Sequence, residues 1–253
     1  MFIEERLNKI IDILKEEGRV YVKDLSERFD MSEPAIRKDL QRLEKEGKLK
    51  RTYGGAILER GKSESSSIQT RLIKNTSIKN TLIEKAFNEI KDGEVIFLDI
   101  SSINYLLAKL IIERNKKVTL VTNMVEISAL INDNVETELL CIGGTYNKTL
   151  GGVIGSTAIE NISRYRADKA FIGSCGVNVH EGTLSNFDLE EGNTKKAIMN
   201  HSKKVYALIE NEKFNLDGSY NFAKLEDIDT IITEEKPEKG IIKILDESGI
   251  SII

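Results

Sequence analysis

The stretch Met31-Ser-Glu-Pro-Ala-Ile-Arg-Lys-Asp-Leu-Gln-Arg-Leu-Glu-Lys-Glu46 decides how the first part of the chain folds. Ser32 is a good N-cap, because its side-chain oxygen suits an orphan backbone N–H. Pro34 falls in the first turn, where its missing N–H costs little. Ile36, Leu40 and Leu43 recur at i, i+4 and i+7 and form one apolar stripe. At about 100° per residue, Pro34, Lys38, Gln41 and Lys45 point the other way, flanked by Arg37 and Arg42. Such a helix buries one face in a small domain and offers cations and an amide on the other. Base edges and phosphates accept those donors. An ordinary surface helix with a solvated charged face has the same appearance, so the neighbouring sequence must separate the two.

Upstream, Ile3, Leu7, Ile10, Ile11 and Leu14 form a helical stripe that stops at Gly18. Arg19-Val-Tyr-Val22 is a short β-prone run, and Asp24 to Phe29 reads as a compact helix with Leu25 and Phe29 inward. Downstream, Lys48, Lys50 and Arg51 alternate around Leu49 and lead through Tyr53 to Gly54-Gly55, the pattern of a basic β-wing. Helix, short helix, tight turn, second helix and wing make a winged helix-turn-helix, whose second helix enters the major groove. The expected DNA contacts are therefore Ser32, Pro34, Arg37, Lys38, Gln41, Arg42, Lys45, Lys48, Lys50, Arg51 and Tyr53.

The bulk numbers fit a local site of this kind. The 253-residue chain has a net charge of −4, which argues against indiscriminate coating of nucleic acid. Residues 32–53 nevertheless carry seven Lys or Arg against four acids. At 40% hydrophobic residues and two prolines the chain is globular, and its length suggests two domains. The N-terminus lacks the apolar core of a signal peptide, and no run approaches transmembrane length, so a cytoplasmic protein with no membrane partner is expected. Cys141 and Cys175 form no CxxC and are expected to be buried and reduced. His180 and His201 complete no metal-ligand pattern with them, so neither a metal nor a cofactor is expected.

Glu59 to Ser67 is polar, serine-rich and aperiodic, which places an interdomain segment at 59–74 between a domain at 1–58 and another at 75–253. Arg71 to Lys91 reads as one long helix. Strand-like runs then follow at Val95–Leu98, Val118–Val121, Glu138–Ile142, Ala170–Ile172, Val205–Ile209 and Ile228–Ile232. Helical patterns separate them at 101–113, 124–132, 155–164, 188–202 and 237–248. Short β-branched runs alternating with helices imply a mainly parallel α/β sheet.

Ligands of open α/β sheets bind beyond the carboxyl ends of the strands. The residues found there are Asp99, Ser101 and Ser102 after the first strand, Thr122 and Asn123 after the second, Gly143 and Gly144 after the third, and Gly173 after the fourth. Hydroxyls, backbone N–H groups and helix N-termini suit an anion, phosphate above all. Lys195 and Lys213 add charge, while Asp99 or Glu191 suit sugar hydroxyls. Neither GxGxxG nor GxxxxGK[ST] occurs, which argues against dinucleotide and P-loop binding. Taken singly, each of these residues is an ordinary cap or turn.

Residues 3–58 resemble the N-terminal domain of DeoR-type transcription regulators. The match rests on Asp24-Leu25-Ser26, Phe29, Ser32, Ile36 through Leu40, Leu43-Glu44, Gly47, Arg51 and Gly54-Gly55-Ala56. Ala35 and Tyr53 depart from the usual Thr and His. The region 75–233 resembles the C-terminal sensor domain of the same regulators through Asp92 to Asp99, Val121-Thr-Asn123, Ile142-Gly-Gly144, Lys169 to Gly173, Glu190-Glu191 through Lys195, and Lys213-Phe214. That resemblance implies a fold similar to ribose-5-phosphate isomerase and an effector drawn from phosphorylated sugars. It also implies a repressor of double-stranded operator DNA that works as a homo-oligomer. Two stretches depart from the family. The loop Asp99-Ile-Ser-Ser-Ile-Asn104 lacks the usual threonines, and Glu210 and Glu212 place acids beside the expected anion site, where like charges repel unless the acids point away. Two other readings remain open at this point. One is an isomerase-like enzyme using Asp99, Glu191 and Lys195 for proton transfer; the other is a winged-helix interaction module that never meets DNA.

Overall fold

The computed structural model describes residues 2–132 and 135–253; Met1, Asp133 and Asn134 lie outside the described residues. The chain divides into two compact units, Met1–Gly61 with Glu238–Ile244, and Lys62–Pro237 with Leu245–Ile253.

In the smaller unit the helices are α1 (Ile3–Glu17), α2 (Val22–Phe29) and α3 (Glu33–Lys45). Three short antiparallel strands join them, β1 (Arg19–Tyr21), β2 (Leu49–Thr52) and β3 (Gly55–Leu58), in the order β1-β3-β2. Gly18 ends α1 in the left-handed region at φ 69° and returns its N–H to the Leu14 carbonyl at 2.8 Å. The expected stripe of α3 is buried: Ile36, Leu40 and Leu43 pack with Leu7, Ile10, Leu14, Leu25 and Leu49 in one core. Glycine is required at position 55, since a Cβ there would stand 1.9 Å from the Val20 carbonyl oxygen. That contact is the close approach of β1 to β3 that closes the sheet.

Two details of this unit differ from the sequence reading. Ser32 holds the N-cap position of α3, with extended backbone at φ −67° and ψ 146°, yet its side chain makes no capping bond. Asp39, one of the four acids counted in residues 32–53, points inward. Its carboxylate accepts from Arg6 Nε at 2.6 Å and Arg6 Nη2 at 3.2 Å, and both residues are buried.

The larger unit is built on a seven-stranded parallel sheet. From one edge to the other its strands are Ser251–Ile252, Thr230–Ile232, Ser202–Leu208, Ala167–Gly173, Val95–Leu98, Thr119–Thr122 and Glu138–Cys141. Ile96, Phe97 and Leu98 are all buried, as are Ala170, Phe171 and Ile172. Consecutive residues can be buried only where both faces of the sheet are covered, which explains why these strands read as unbroken apolar runs. A second, antiparallel sheet of Gly176–Asn178, Thr183–Asn186 and Tyr220–Lys224 lies in the same unit.

The long helix expected from Arg71 to Lys91 is two helices, α4 (Ile68–Ile73) and α5 (Thr76–Asn88). Asn75 breaks them apart by adopting a left-handed conformation at φ 54° and ψ 37°, which asparagine tolerates better than most residues. Ser67, within the stretch expected to be aperiodic, caps α4 by accepting from the Thr70 N–H at 3.3 Å. The helical pattern at 124–132 shrinks to Val125–Ser128. Cys141, expected to be buried, is exposed on the edge strand, and Cys175 is half-buried. No helix among the described residues is long and apolar enough to cross a membrane.

Candidate functional site

Burial of Ile36, Leu40 and Leu43 fixes the rotation of α3 about its axis and turns the opposite face to solvent. Ser32, Pro34, Arg37, Lys38, Gln41, Arg42 and Lys45 are all exposed on or before this helix, and Lys48, Lys50, Arg51 and Tyr53 on the hairpin that follows. The cations differ in how firmly they are already held. Arg37 pairs with Glu33 at 2.9 Å, one helical turn back. Arg42 bonds both Glu4 and Glu46, and those hydrogen bonds raise its pKa further. Lys48 also reaches Glu46, at 2.8 Å. By contrast Lys38, Gln41, Lys45 and Lys50 have no side-chain partner among the described residues. The backbone N–H of Arg51 is held by the Glu44 carboxylate at 2.9 Å, which ties the hairpin to α3. An arginine already forked to a carboxylate must break that bond to meet a phosphate, so the unpaired lysines and Gln41 are the readier donors.

The second site lies wholly in the larger unit. A cavity of about 390 Å³ is lined by Ser101, Ser102, Gly173, Glu191, Lys195 and Lys213, six of the residues expected from the sequence. Thr122, Asn123, Gly143 and Gly144 lie outside its lining. Thr122 donates to the Leu98 carbonyl at 2.7 Å and accepts from the Met124 N–H at 3.0 Å, as a strand-end cap does. Asn123 donates to the Val153 carbonyl at 2.8 Å, and the Gly143 carbonyl accepts from Asn161 at 3.1 Å. Asp99 does not line the cavity either. It is fully buried behind the wall and accepts from Asn104 Nδ2 at 2.7 Å, from the Gly173 N–H at 3.0 Å and from the Lys195 ammonium. There it holds the Lys195 ammonium.

Ser101 starts helix α6 (Ser102–Glu113), where its hydroxyl accepts from the Asn104 N–H at 3.1 Å. The close packing of this helix start on Gly173 leaves no room for a Cβ there, since one would lie 2.7 Å from Ser101 Cβ. The partial positive charge of the α6 N-terminus faces the cavity beside two hydroxyls.

Several wall residues were not legible as site residues. Arg71 donates from Nη2 to the Leu150 carbonyl at 3.2 Å, while its Nε is buried with no partner. Lys79 places its ammonium on the Arg71 and Lys74 carbonyls, closing the C-terminus of α4. Burial lowers the pKa of Lys79, and nearby cations lower it further against the pull of Glu210. Glu210 and Glu212, the two unexpected acids, are both accounted for. Glu210 accepts from Asn75 Nδ2 at 2.6 Å, and Glu212 lies 3.0 Å from Lys213 and 3.7 Å from Lys74. Burial alone would push Glu212 up, but the two ammoniums outweigh it and hold its pKa below the usual value. Burial raises the pKa of Glu191. For Lys195 burial works against the charge, yet Asp99 and Glu191 prevail and raise its pKa. The Cys175 thiol is pushed up to about 11, chiefly by burial and then by Glu191.

A helix with an exposed basic face on one compact unit and a cavity lined by charged and hydroxyl groups in the other are the parts of a helix-turn-helix regulator with a separate sensor domain. The chain belongs to the DeoR family. Residues 6–61 match the family model of the DeoR-like helix-turn-helix domain, and residues 74–235 match that of the DeoR C terminal sensor domain. The chain is 31% identical to the HTH-type transcriptional repressor GlcR of Bacillus subtilis (strain 168), over 100% of this chain and 96% of that one. It is 27% identical to the glycerol-3-phosphate regulon repressor of Escherichia coli (strain K12), over 98% of this chain and 97% of that one. Among solved structures, ribose 5-phosphate isomerase A of Methanocaldococcus jannaschii aligns with 56% of this chain and 55% of its own, at a TM-score of 0.41 and 20% identity.

Proposed function

We propose that this DeoR-family regulator represses transcription by binding double-stranded operator DNA, and that a phosphorylated carbohydrate metabolite in the cavity controls it. Lys38, Gln41 and Lys45 enter the groove from α3, while Lys50, Arg51 and Tyr53 grip the backbone from the hairpin. A single head of this size binds weakly, so a homo-oligomer on paired half-sites is part of the reading. The protein works in the cytoplasm, where operator and metabolite are both present.

The observation that carries the effector reading is Arg71. A buried guanidinium nitrogen with no partner, in a cavity that also holds Ser101, Ser102 and the α6 N-terminus, is matched by an anionic oxygen. The relative named as the glycerol-3-phosphate regulon repressor points to the same ligand chemistry. Regulation is favoured over isomerisation because Asp99 is outside the cavity and Glu191, the one of these two carboxylates that lines it, stands against the Lys195 ammonium at 3.4 Å. A proton-transfer base has to reach its substrate.

The test is a gel shift on the DNA upstream of the protein's own operon, with and without sugar monophosphates. Wild type should give a discrete shift that one of them abolishes or strengthens. Arg71→Leu should bind the DNA normally and ignore the metabolite. A response undiminished by Arg71→Leu would move the anion site elsewhere.

A further inference from the structure

Among the described residues, Asn186 is the one side chain whose donor and acceptor are both buried and both unpartnered. It has no exposed surface and lines the same cavity as Arg71. Its placement follows from the local chain. Asn186 ends the strand Thr183–Asn186, which is paired on both sides, and Asp188 two residues later caps the helix that supplies Glu191 and Lys195. The backbone of Gly218 packs on that of Asn186 so closely that a Cβ on Gly218 would stand 2.3 Å from the Asn186 carbonyl oxygen. The adjoining Ser185 hydroxyl accepts from the Gly218 N–H at 2.8 Å, so this corner is held from two directions. A locked backbone with an unmatched amide on a cavity wall is unfavourable in the empty protein, because each buried polar atom has given up its water.

The chemistry of the amide narrows what can match it. Its oxygen needs a donor and its NH₂ group needs an acceptor. A phosphate or carboxylate oxygen satisfies only the NH₂, an ammonium satisfies only the oxygen, and an apolar group satisfies neither. Adjacent hydroxyls satisfy both, since each both donates and accepts. We infer that Asn186 is the specificity-determining residue of the cavity, reading a pair of neighbouring hydroxyls on a polyhydroxylated anion. This rests on the reading of the cavity as the effector site, and it adds which part of the effector is recognised by which side chain.

The experiment measures binding to the full-length protein by calorimetry and thermal shift, using inorganic phosphate, ethyl phosphate, glycerol 3-phosphate, ribose 5-phosphate and glucose 6-phosphate as probes. At least one of the polyhydroxylated esters should bind wild type 10- to 100-fold more tightly than ethyl phosphate. In Asn186→Leu, close in shape but without polar atoms, that preference should fall to within about threefold, while affinity for inorganic phosphate stays unchanged. The empty variant should unfold at the same or a higher temperature than wild type, since an unmatched polar pair has been removed; a merely structural asparagine would lower it. Asn186→Ala, which cannot overfill the site, should lose the same preference and serves if the leucine variant does not fold. Retention of the preference in either folded variant overturns the assignment of Asn186 and leaves the cavity reading intact. Failure of every probe to bind wild type overturns both.

Discussion

Replacing Asp39 by alanine should loosen the DNA-binding head without touching the sheet of the larger unit. Asp39 and Arg6 form a two-pronged ion pair at 2.6 and 3.2 Å, beneath α3 and away from water. The hydrogen bond to Asp39 raises the pKa of Arg6, outweighing burial, so the guanidinium stays charged at any ordinary pH. Removing the carboxylate leaves that buried charge without its partner and with no proton to shed. Loss of one partner from a buried pair costs about 3–5 kcal/mol. Since 1.36 kcal/mol is a factor of ten, even about 3 kcal/mol raises the population of open forms by roughly a hundredfold. Hydrogen exchange of the intact chain reads this directly. Amides of α3 should exchange about a hundred times faster in Asp39→Ala, while those of Val95–Leu98 and Ala167–Gly173 keep their rates. The double variant Arg6→Met with Asp39→Leu should recover most of the protection, because a buried pair can be replaced by apolar groups at little net cost. Unchanged exchange in the single variant, or a double variant no better than it, would refute this account of how α3 is held.

Further outcomes follow from other parts of the molecule. Lys50→Ala should lower the slope of log affinity against log salt for a labelled operator duplex by about 0.9, as loss of one phosphate contact requires; anisotropy titrations between 50 and 200 mM KCl check it, and an unchanged slope removes Lys50 from the interface. Burial first, and then Glu89, whose carboxylate lies 3.3 Å from the hydroxyl, pushes the Tyr206 pKa up to about 12. Because the folded pKa is the higher one, this stabilisation is complete below about pH 10 and is lost as pH rises towards 12. Tyr206→Phe should therefore flatten the fall in melting temperature over that window. At pH 8 a thiol with a pKa of about 11 is roughly one part in a thousand thiolate. Iodoacetamide should accordingly modify Cys175 slowly in the folded protein, ten times faster for each added pH unit, and peptide mapping reads the rate.

How much of this could be seen in the chain depended on how local the signal was. The stripe Ile36, Leu40, Leu43 marked α3 because helix period and burial coincide on one element. The parallel sheet showed because its strands are covered on both faces and lack polar alternation. The break at Asn75 was hidden, since Leu72 and Ile78 carry an apolar helical pattern across it. Arg71 is helical on either reading; that it also lines the cavity depends on the turn at Asn75, which the apolar pattern does not show. Arg6 and Asp39 stand 33 residues apart and each looks like a solvated charge until the helices pack. Asn186 ends a four-residue strand with no period to read, so nothing local distinguishes it from a turn asparagine. Thr122, Asn123, Gly143 and Gly144 have the composition of a binding loop, but they lie outside the lining of the cavity, which only the packed chain reveals.

Tyr53 stands alone at the tip of the hairpin between β2 and β3, its ring wholly in solvent. Every other donor assigned to the DNA face works through charge or hydrogen bonding, and the cationic part weakens as salt rises. An aromatic ring covers 150–250 Å² when enclosed, and at about 25 cal/mol per Å² that burial is worth on the order of 4 kcal/mol. Ions do not screen it. On the proposed reading Tyr53 would supply the part of the grip that survives a rise in ionic strength, and with no tryptophan in the chain, Tyr53→Trp would give a sole indole whose emission reports whether the ring meets DNA.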